Sequence, residues 1–322
     1  GGRPVEVEHC AAAGSPETSQ ACAQELAGKG VELVMLGLDL FPGYDTFEAS
    51  GIPVFGALPI LPGDYTANAL FITGGNATTT AAMVGLAVEN FDAQSIGIIS
   101  ADNAGANGTE AALIAAIEKQ GIPYKSVKGG DNETDAGYQG LLREANSDNP
   151  ELLVSLYADA GCIGVMRARA TAGIETPMVS TAICSSAEVI DVVGDDAVGW
   201  SFVAVGTPNP TAAEAAFDEI ITPVYGSGNG SSLGLGALGI TQVMTLARVA
   251  NAVAAEGGEV TGSAMFDRLA TSSDILNFPD DNPLECGLAP EYPTICSFVF
   301  PLGEYIEGGE IRTIPGFEAF NV

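Results

Sequence analysis

Gly230, Ser232 and Gly234 satisfy the G-x-S-x-G spacing of a hydrolase nucleophile elbow. That elbow works only when a strand feeds a sharp turn that lifts the serine hydroxyl toward a histidine later in the chain. Here the turn-like stretch GSGN precedes it, and the single histidine, His9, lies far upstream. Ser232 therefore reads as a loop residue ahead of a helix. Gly234, Gly236 and Gly239 spell G-x-G-x-x-G, again with no strand before them, so they read as small residues that let a helix start pack closely. No Walker loop occurs. The carboxylate pairs Asp195–Asp196 and Asp280–Asp281 belong to a chain with 41 acids, where adjacent acids are mostly solvated surface.

The six cysteines fall into three sequence-local pairs: Cys10 with Cys22, Cys162 with Cys184, and Cys286 with Cys296. None has C-x-x-C spacing, and one histidine beside Cys10 cannot complete a zinc site, so no metal is expected and His9 reads as structural. Local disulfides are the expected pairing, against the alternative of six buried free thiols. Such bonds would put the protein outside the cytoplasm.

The elements that must position any site alternate between short β-branched runs and Ala-rich helical stretches. VEVEH reads as a strand. A helix follows, with Ser15 as its N-cap and Pro16 at its first position, and it ends at Gly28 to Gly30. VELVML, IPVFGAL, ALFIT, SIGIIS, IPYKSV, ELLVSLY and PMVST read as further strands. Helices are expected at Asn76 to Asn90, Gly108 to Gln120, Ala136 to Asn146, Cys162 to Ala172 and Ser186 to Val192. Runs such as LVML and IGII are apolar without alternation, as in parallel strands covered on both faces. After GWSFVAVGTPNP the pattern changes to successive helices at Thr211 to Val224, Leu235 to Glu256 and Ser263 to Thr271. A loop plus β-hairpin follows from Phe278.

At 322 residues the chain is long enough for two domains. Eleven Lys and Arg against 41 Asp and Glu give a net charge of -30, which excludes a general nucleic-acid binder and an anionic membrane partner. The one tight basic group is Arg167 with Arg169. No apolar run is expected to be long enough to span a membrane. The first residues hold no charged and apolar leader, so an export signal would have been removed before GGRPVEVEHC.

In order and spacing, GGRPVEVEHC, SQACAQELAGKG, VELVMLG, GIPVFGAL, SIGIISADNAGANG and ELLVSLYADAGCIGVMRARATAGIETPMVST resemble the periplasmic leucine/isoleucine/valine-binding protein family, the type I solute receptors of ABC importers. The resemblance implies an α/β fold of two Rossmann-like lobes with parallel sheets and a cleft between them. Lobe one would hold residues 1–74 and 207–280, and lobe two residues 75–206 and 281–322. Crossings are implied near Gly74, Gly206 and Asn277 to Pro283, with a hinge that closes on ligand. Family members begin with a strand and a helix ahead of the segment resembling GGRPVEVEH, so the chain is expected to be an incomplete record of a longer protein.

Ligands of open parallel sheets bind beyond the carboxyl ends of the strands. That rule selects Asp39, Leu40 and Phe41; Leu58 and Pro59; Asp102, Asn103 and Ala104; Tyr157 and Asp159; and Thr181 and Ala182. The resemblance places ligand contacts on the same loops. Where amino-acid-binding members hold an α-carboxylate with Ser or Thr, this chain offers Asp39, Leu40, Leu58 and Pro59, and Ala182 replaces the acid that receives an α-ammonium. Asp39, Asp102 and Asp159 would favour a cationic or hydrogen-bond-donating ligand if they face the cleft. In the plainer alternative, Asp102 caps the following helix, Asp39 faces water and Tyr157 is simply buried.

The expected function is an extracytoplasmic receptor that captures an amino acid, amide or related metabolite without a cofactor and delivers it to an ABC permease. A ligand-sensing domain of a signalling system is the alternative. A secreted hydrolase using Ser232 or Asp159 is the third reading.

Overall fold

A computed structural model describes residues 4–203, 212–225, 236–278, 282–307 and 310–318. The chain divides into two compact units, Gly1–Gly75 with Leu238–Ser297 and Asn76–Ala237 with Phe298–Val322.

Unit one is built on three short parallel strands in sequential order: β1 (Val34–Leu36), β2 (Val54–Gly56) and β3 (Ala69–Phe71). Alternate residues serve opposite faces, as strand geometry requires. Val34, Val54, Ala69 and Phe71 bury against α1 (Pro16–Lys29) and α2 (Tyr44–Ala49) through Ala23 and Phe47. Phe55 and Leu70 bury on the other side against Leu246, Val249 and Val253 of α9 (Gly236–Ala255) and against Met265 and Leu269 of α10 (Gly262–Ala270). Both faces are covered, which is why these strands read as unbroken apolar runs. Ser15 caps α1 in a reciprocal box with Thr18, Pro16 opens the helix, and Gly30 ends it in the left-handed conformation at φ 70°.

Unit two carries a seven-stranded sheet in the order β10-β9-β8-β7-β6-β4-β5. β4 (Ile96–Ala101), β5 (Tyr124–Gly129), β6 (Leu152–Leu156), β7 (Met178–Thr181) and β8 (Trp200–Val203) are parallel. The hairpin β9 (Val299–Ile306) and β10 (Glu310–Glu318) joins β8 antiparallel. α3 (Gly75–Phe91) and α4 (Ala104–Gln120) cover one face over Ile98 and Val154. α5 (Asp135–Ala145), α6 (Ala160–Ala172) and α7 (Ala187–Val193) cover the other over Ile99, Leu153 and Trp200. Trp200, the chain's one tryptophan, is fully buried and stacked at 6.5 Å on Phe202. α8 (Ala212–Tyr225) follows.

All three cysteine pairs form disulfides, with Cα separations of 5.6 Å for Cys10–Cys22, 5.3 Å for Cys162–Cys184 and 3.7 Å for Cys286–Cys296.

Several sequence expectations are corrected. VEVEH is not a strand: it pairs with no neighbour, and Val5 and Val7 are 85% and 80% exposed. Alternation alone leaves the backbone donors and acceptors of a single segment without a ladder. Residues 282–297 lie in unit one, so the last passage between units falls at Ser297/Phe298 rather than at Asn277 to Pro283. A Phe71–Ile295 bridge ties that stretch to β3, a Leu276–Pro283 bridge ties it to the segment before it, and the Cys286–Cys296 bond closes it on itself. Gly206 itself lies outside the described residues, but α8 belongs to unit two, so that passage falls at Ala237/Leu238 rather than near Gly206. Finally, Leu238–Ala255 does have the length and composition of a membrane-crossing segment. Its Leu246, Val249 and Val253 are spent in the unit-one core, and Gln242 donates to the Phe55 carbonyl at 2.8 Å, so it is a core helix.

Candidate functional site

In unit one the loops leaving β1 and β2 are held by two carboxylates. Asp39 accepts the Ser19 hydroxyl at 2.7 Å and the Phe41 N–H at 2.9 Å, a local turn that also ties the loop to α1. Leu40 and Phe41 are half-buried behind it, and Leu38 is 63% exposed. Asp64, only 4% exposed, accepts the Ile60 and Leu61 N–H groups at 2.7 and 2.9 Å through one oxygen and the Tyr44 hydroxyl at 2.7 Å through the other. Burial, then Asp64 and Asp39, push the Tyr44 phenol above its ordinary range, so it stays a neutral donor.

Two further contacts fix the β2 loop. The Thr73 hydroxyl donates to the Ala57 carbonyl at 2.5 Å. Gly75, at φ 53°, lies so close that a Cβ there would stand 1.8 Å from the Pro59 carbonyl oxygen. Pro59 is buried and Leu58 half-buried.

In unit two the order is one residue off the sequence expectation. Asn103, not Asp102, caps α4: its side-chain oxygen accepts the Ala106 N–H at 2.9 Å, and its amide nitrogen donates to Asp131 at 2.6 Å. The helix starts at Ala104, a turn before the expected Gly108, and Asn103 is the residue immediately ahead of it. Asp102 is exposed, accepts from the Asn107 amide at 3.2 Å and gives its backbone N–H to Gly129 at 2.8 Å. Ala104 is exposed.

Tyr157 at the end of β6 is 2% exposed, edge-on to Tyr138 at 5.3 Å. Its hydroxyl is buried with no hydrogen-bond partner among the described residues, and burial is the first cause that raises its phenol above the usual range. Asp159 is exposed at φ 46°, ψ -115°, a conformation that non-glycine residues rarely adopt. Thr181 and Ala182 are half-buried where β7 gives way to a short turn, Ala182–Ser185. The Cys162–Cys184 bond joins α6 to that turn, so the loops carrying Asp159 and Ala182 share one covalent anchor.

The structure thus gathers Asp39, Leu40, Phe41, Leu58 and Pro59 on adjacent loops of unit one, and Asp102, Asn103, Ala104, Tyr157, Asp159, Thr181 and Ala182 at the carboxyl edge of unit two. Sequence reasoning missed Ser19, Tyr44, Asp64, Thr73 and Asp131. Only Asp64 had a local signal, since Leu61-Pro62-Gly63-Asp64 is turn chemistry with proline at the first helical position.

Of the motif residues, Ser232, Gly234 and Asp280–Asp281 lie outside the described residues, while Gly236 and Gly239 belong to α9. Among the described residues no group of three or more metal-ligating side chains comes together. Arg167 and Arg169 are tied to the carbonyls of Val192, Thr176 and Val198.

Two α/β units with parallel sheets and loops gathered at strand carboxyl ends are the type I periplasmic binding protein fold. The sequence profile described as periplasmic binding protein matches residues 1–281, and the chain belongs to that family. Solved structures agree in fold. A leucine-binding protein from Thermotoga maritima is 14% identical at a TM-score of 0.78, covering 100% of this chain and 90% of that one. An ABC transporter substrate-binding protein from Sphaerobacter thermophilus is 18% identical at 0.81, covering 99% and 88%. A solute-binding protein of an ABC transporter from Rhodopseudomonas palustris, solved with p-hydroxybenzoic acid, is 14% identical at 0.73, covering 95% and 83%. No curated protein sequence matches the chain closely enough to count as a relative.

Proposed function

We propose that this protein is an extracytoplasmic solute receptor that takes a small molecule on the carboxyl-end loops of its two units, closes on it and presents it to an ABC permease. The observation that carries this reading is the pairing of a binding-protein family match over residues 1–281 with loops fixed by dedicated contacts: Asp39 and Asp64 in unit one, Asn103 and Cys162–Cys184 in unit two. Preformed loops reduce the ordering cost of capture. Three disulfides suit an oxidising compartment outside the cytoplasm.

Binding without turnover is the chemical side of the proposal. Solved proteins of this fold include ones named for leucine and for p-hydroxybenzoic acid, so a small organic solute is the expected guest. A thermal-shift screen of the whole chain against amino acids, amides, polyamines and aromatic acids tests it. The expected result is a rise in Tm with one chemical class, recovered unchanged after incubation. Conversion of the hit to a product would overturn it in favour of an enzyme.

A further inference from the structure

Five donors on and beside the unit-one loops are already in use, and that limits how these loops can grip a solute. The Phe41 N–H goes to Asp39, the Ile60 and Leu61 N–H groups and the Tyr44 hydroxyl go to Asp64, and the Thr73 hydroxyl goes to the Ala57 carbonyl. Four of the five go to two carboxylates, Asp39 within its loop and the buried Asp64, and Ser19 adds a further donor to Asp39 from α1. The segments Gly37–Gly43 and Ala57–Tyr65 contain no lysine or arginine.

Leu38 is 63% exposed, and Leu40, Phe41 and Leu58 are half-buried, so the larger side chains beside Asp39 on these loops are apolar. A ligand carboxylate needs free N–H or O–H donors, or a cation, to replace its water. Here those five donors are spent on other acceptors, and Asp39 and Asp64 add two negative charges. An ammonium or a neutral amide meets the same field favourably or without penalty.

On the reading that these loops touch the solute, we propose that unit one selects a non-anionic solute of the amide or amine class and rejects the free carboxylic acid of the same body. Asp39 and Asp64 are the specificity-determining residues: they act by occupying donors and by their charge.

Matched pairs test this on the whole chain: leucine against leucinamide, isoleucine against isoleucinamide, and 4-hydroxybenzoate against 4-hydroxybenzamide. The amide member of at least one pair is expected to raise Tm by about 5 °C or more at saturation while its acid leaves Tm unchanged. Acids that stabilise as well as or better than their amides would overturn the inference and leave solute capture standing. Silence from every compound here and in the wider screen would count against both. Hydrogen exchange supplies an arm that needs no ligand. The Ile60 and Leu61 amides are expected to exchange at least about tenfold slower than unprotected peptide, and Asp64→Ala, which removes both acceptor oxygens, is expected to abolish that protection. Exchange at the free-peptide rate in the wild-type chain would show the donors to be available and would sink the proposal.

Discussion

The two units fix equivalent loops by different chemistry. Unit one uses carboxylates: Asp39 reaches forward two residues and across to α1, and Asp64 gathers two amides and a phenol. Unit two uses a covalent bond, Cys162–Cys184, set in the core beneath the loops after β6 and β7. A disulfide between fully buried sulfurs adds no charge to the surface above it, whereas a buried carboxylate both organises its donors and imposes a field. The disulfide can therefore stiffen its loops without adding charge, whereas the carboxylates stiffen theirs and set a field.

Breaking the covalent anchor is expected to have the largest effect. The Cys162→Ser/Cys184→Ser pair removes a crosslink across 22 residues and should cost about 2–5 kcal/mol, read as a lower midpoint in chemical denaturation. A loss below about 1 kcal/mol would mean that core packing, not the bond, holds the unit-two loops. Next in size is Asp64→Ala, which strands the Ile60 and Leu61 amides and the Tyr44 hydroxyl at a buried position. About 1–3 kcal/mol is expected, with the β2 loop exchanging fast by hydrogen exchange. Tyr44→Phe removes one donor and leaves the two amides bonded, so about 1 kcal/mol is expected and the Ile60 and Leu61 protection should survive. If Tyr44→Phe matches Asp64→Ala, the phenol rather than the loop amides is the main partner.

The smallest expected effect is a pH dependence. The amides of Gln94 and Ser95, both at 3.0 Å, hold the Glu151 carboxyl below the ordinary glutamate range, Gln94 contributing most. Its folded value is depressed, so the unfolded chain takes up the proton first as pH falls. The contribution is complete above the unfolded value of about 4.3 and is lost as pH drops through the folded value. Glu151→Gln should lower Tm by about 1 °C at neutral pH and by progressively less as pH falls below the unfolded value, in parallel scans of variant and wild type.

Much of this arrangement was legible in the sequence where the cause is local. Ser15 and Pro16 mark the start of α1 because cap and first-turn chemistry act within three residues, and the apolar runs gave the parallel strands because burial on both faces removes alternation. The three cysteine pairs were readable because each closes a short loop. VEVEH failed because a strand is a relation between two segments, and alternation describes only one. Asp102 and Asn103 are neighbours with equal capping ability, so only the geometry of the first turn of α4 decides between them. Tyr157 stands at the carboxyl end of a strand, where exposure is the rule, yet Tyr138 on α5 covers it from 19 residues away in sequence. The role of Tyr44 was invisible for the same reason: its carboxylate partner, Asp64, comes from another element.

Trp200 gives the molecule an optical label in one place. As the only indole, fully buried beside Phe202 in unit two, it makes tryptophan emission a report on that unit alone, while circular dichroism averages over both. Denaturation followed by the two signals in parallel therefore separates the melting of the carboxylate-fixed half from that of the disulfide-fixed half without any added probe.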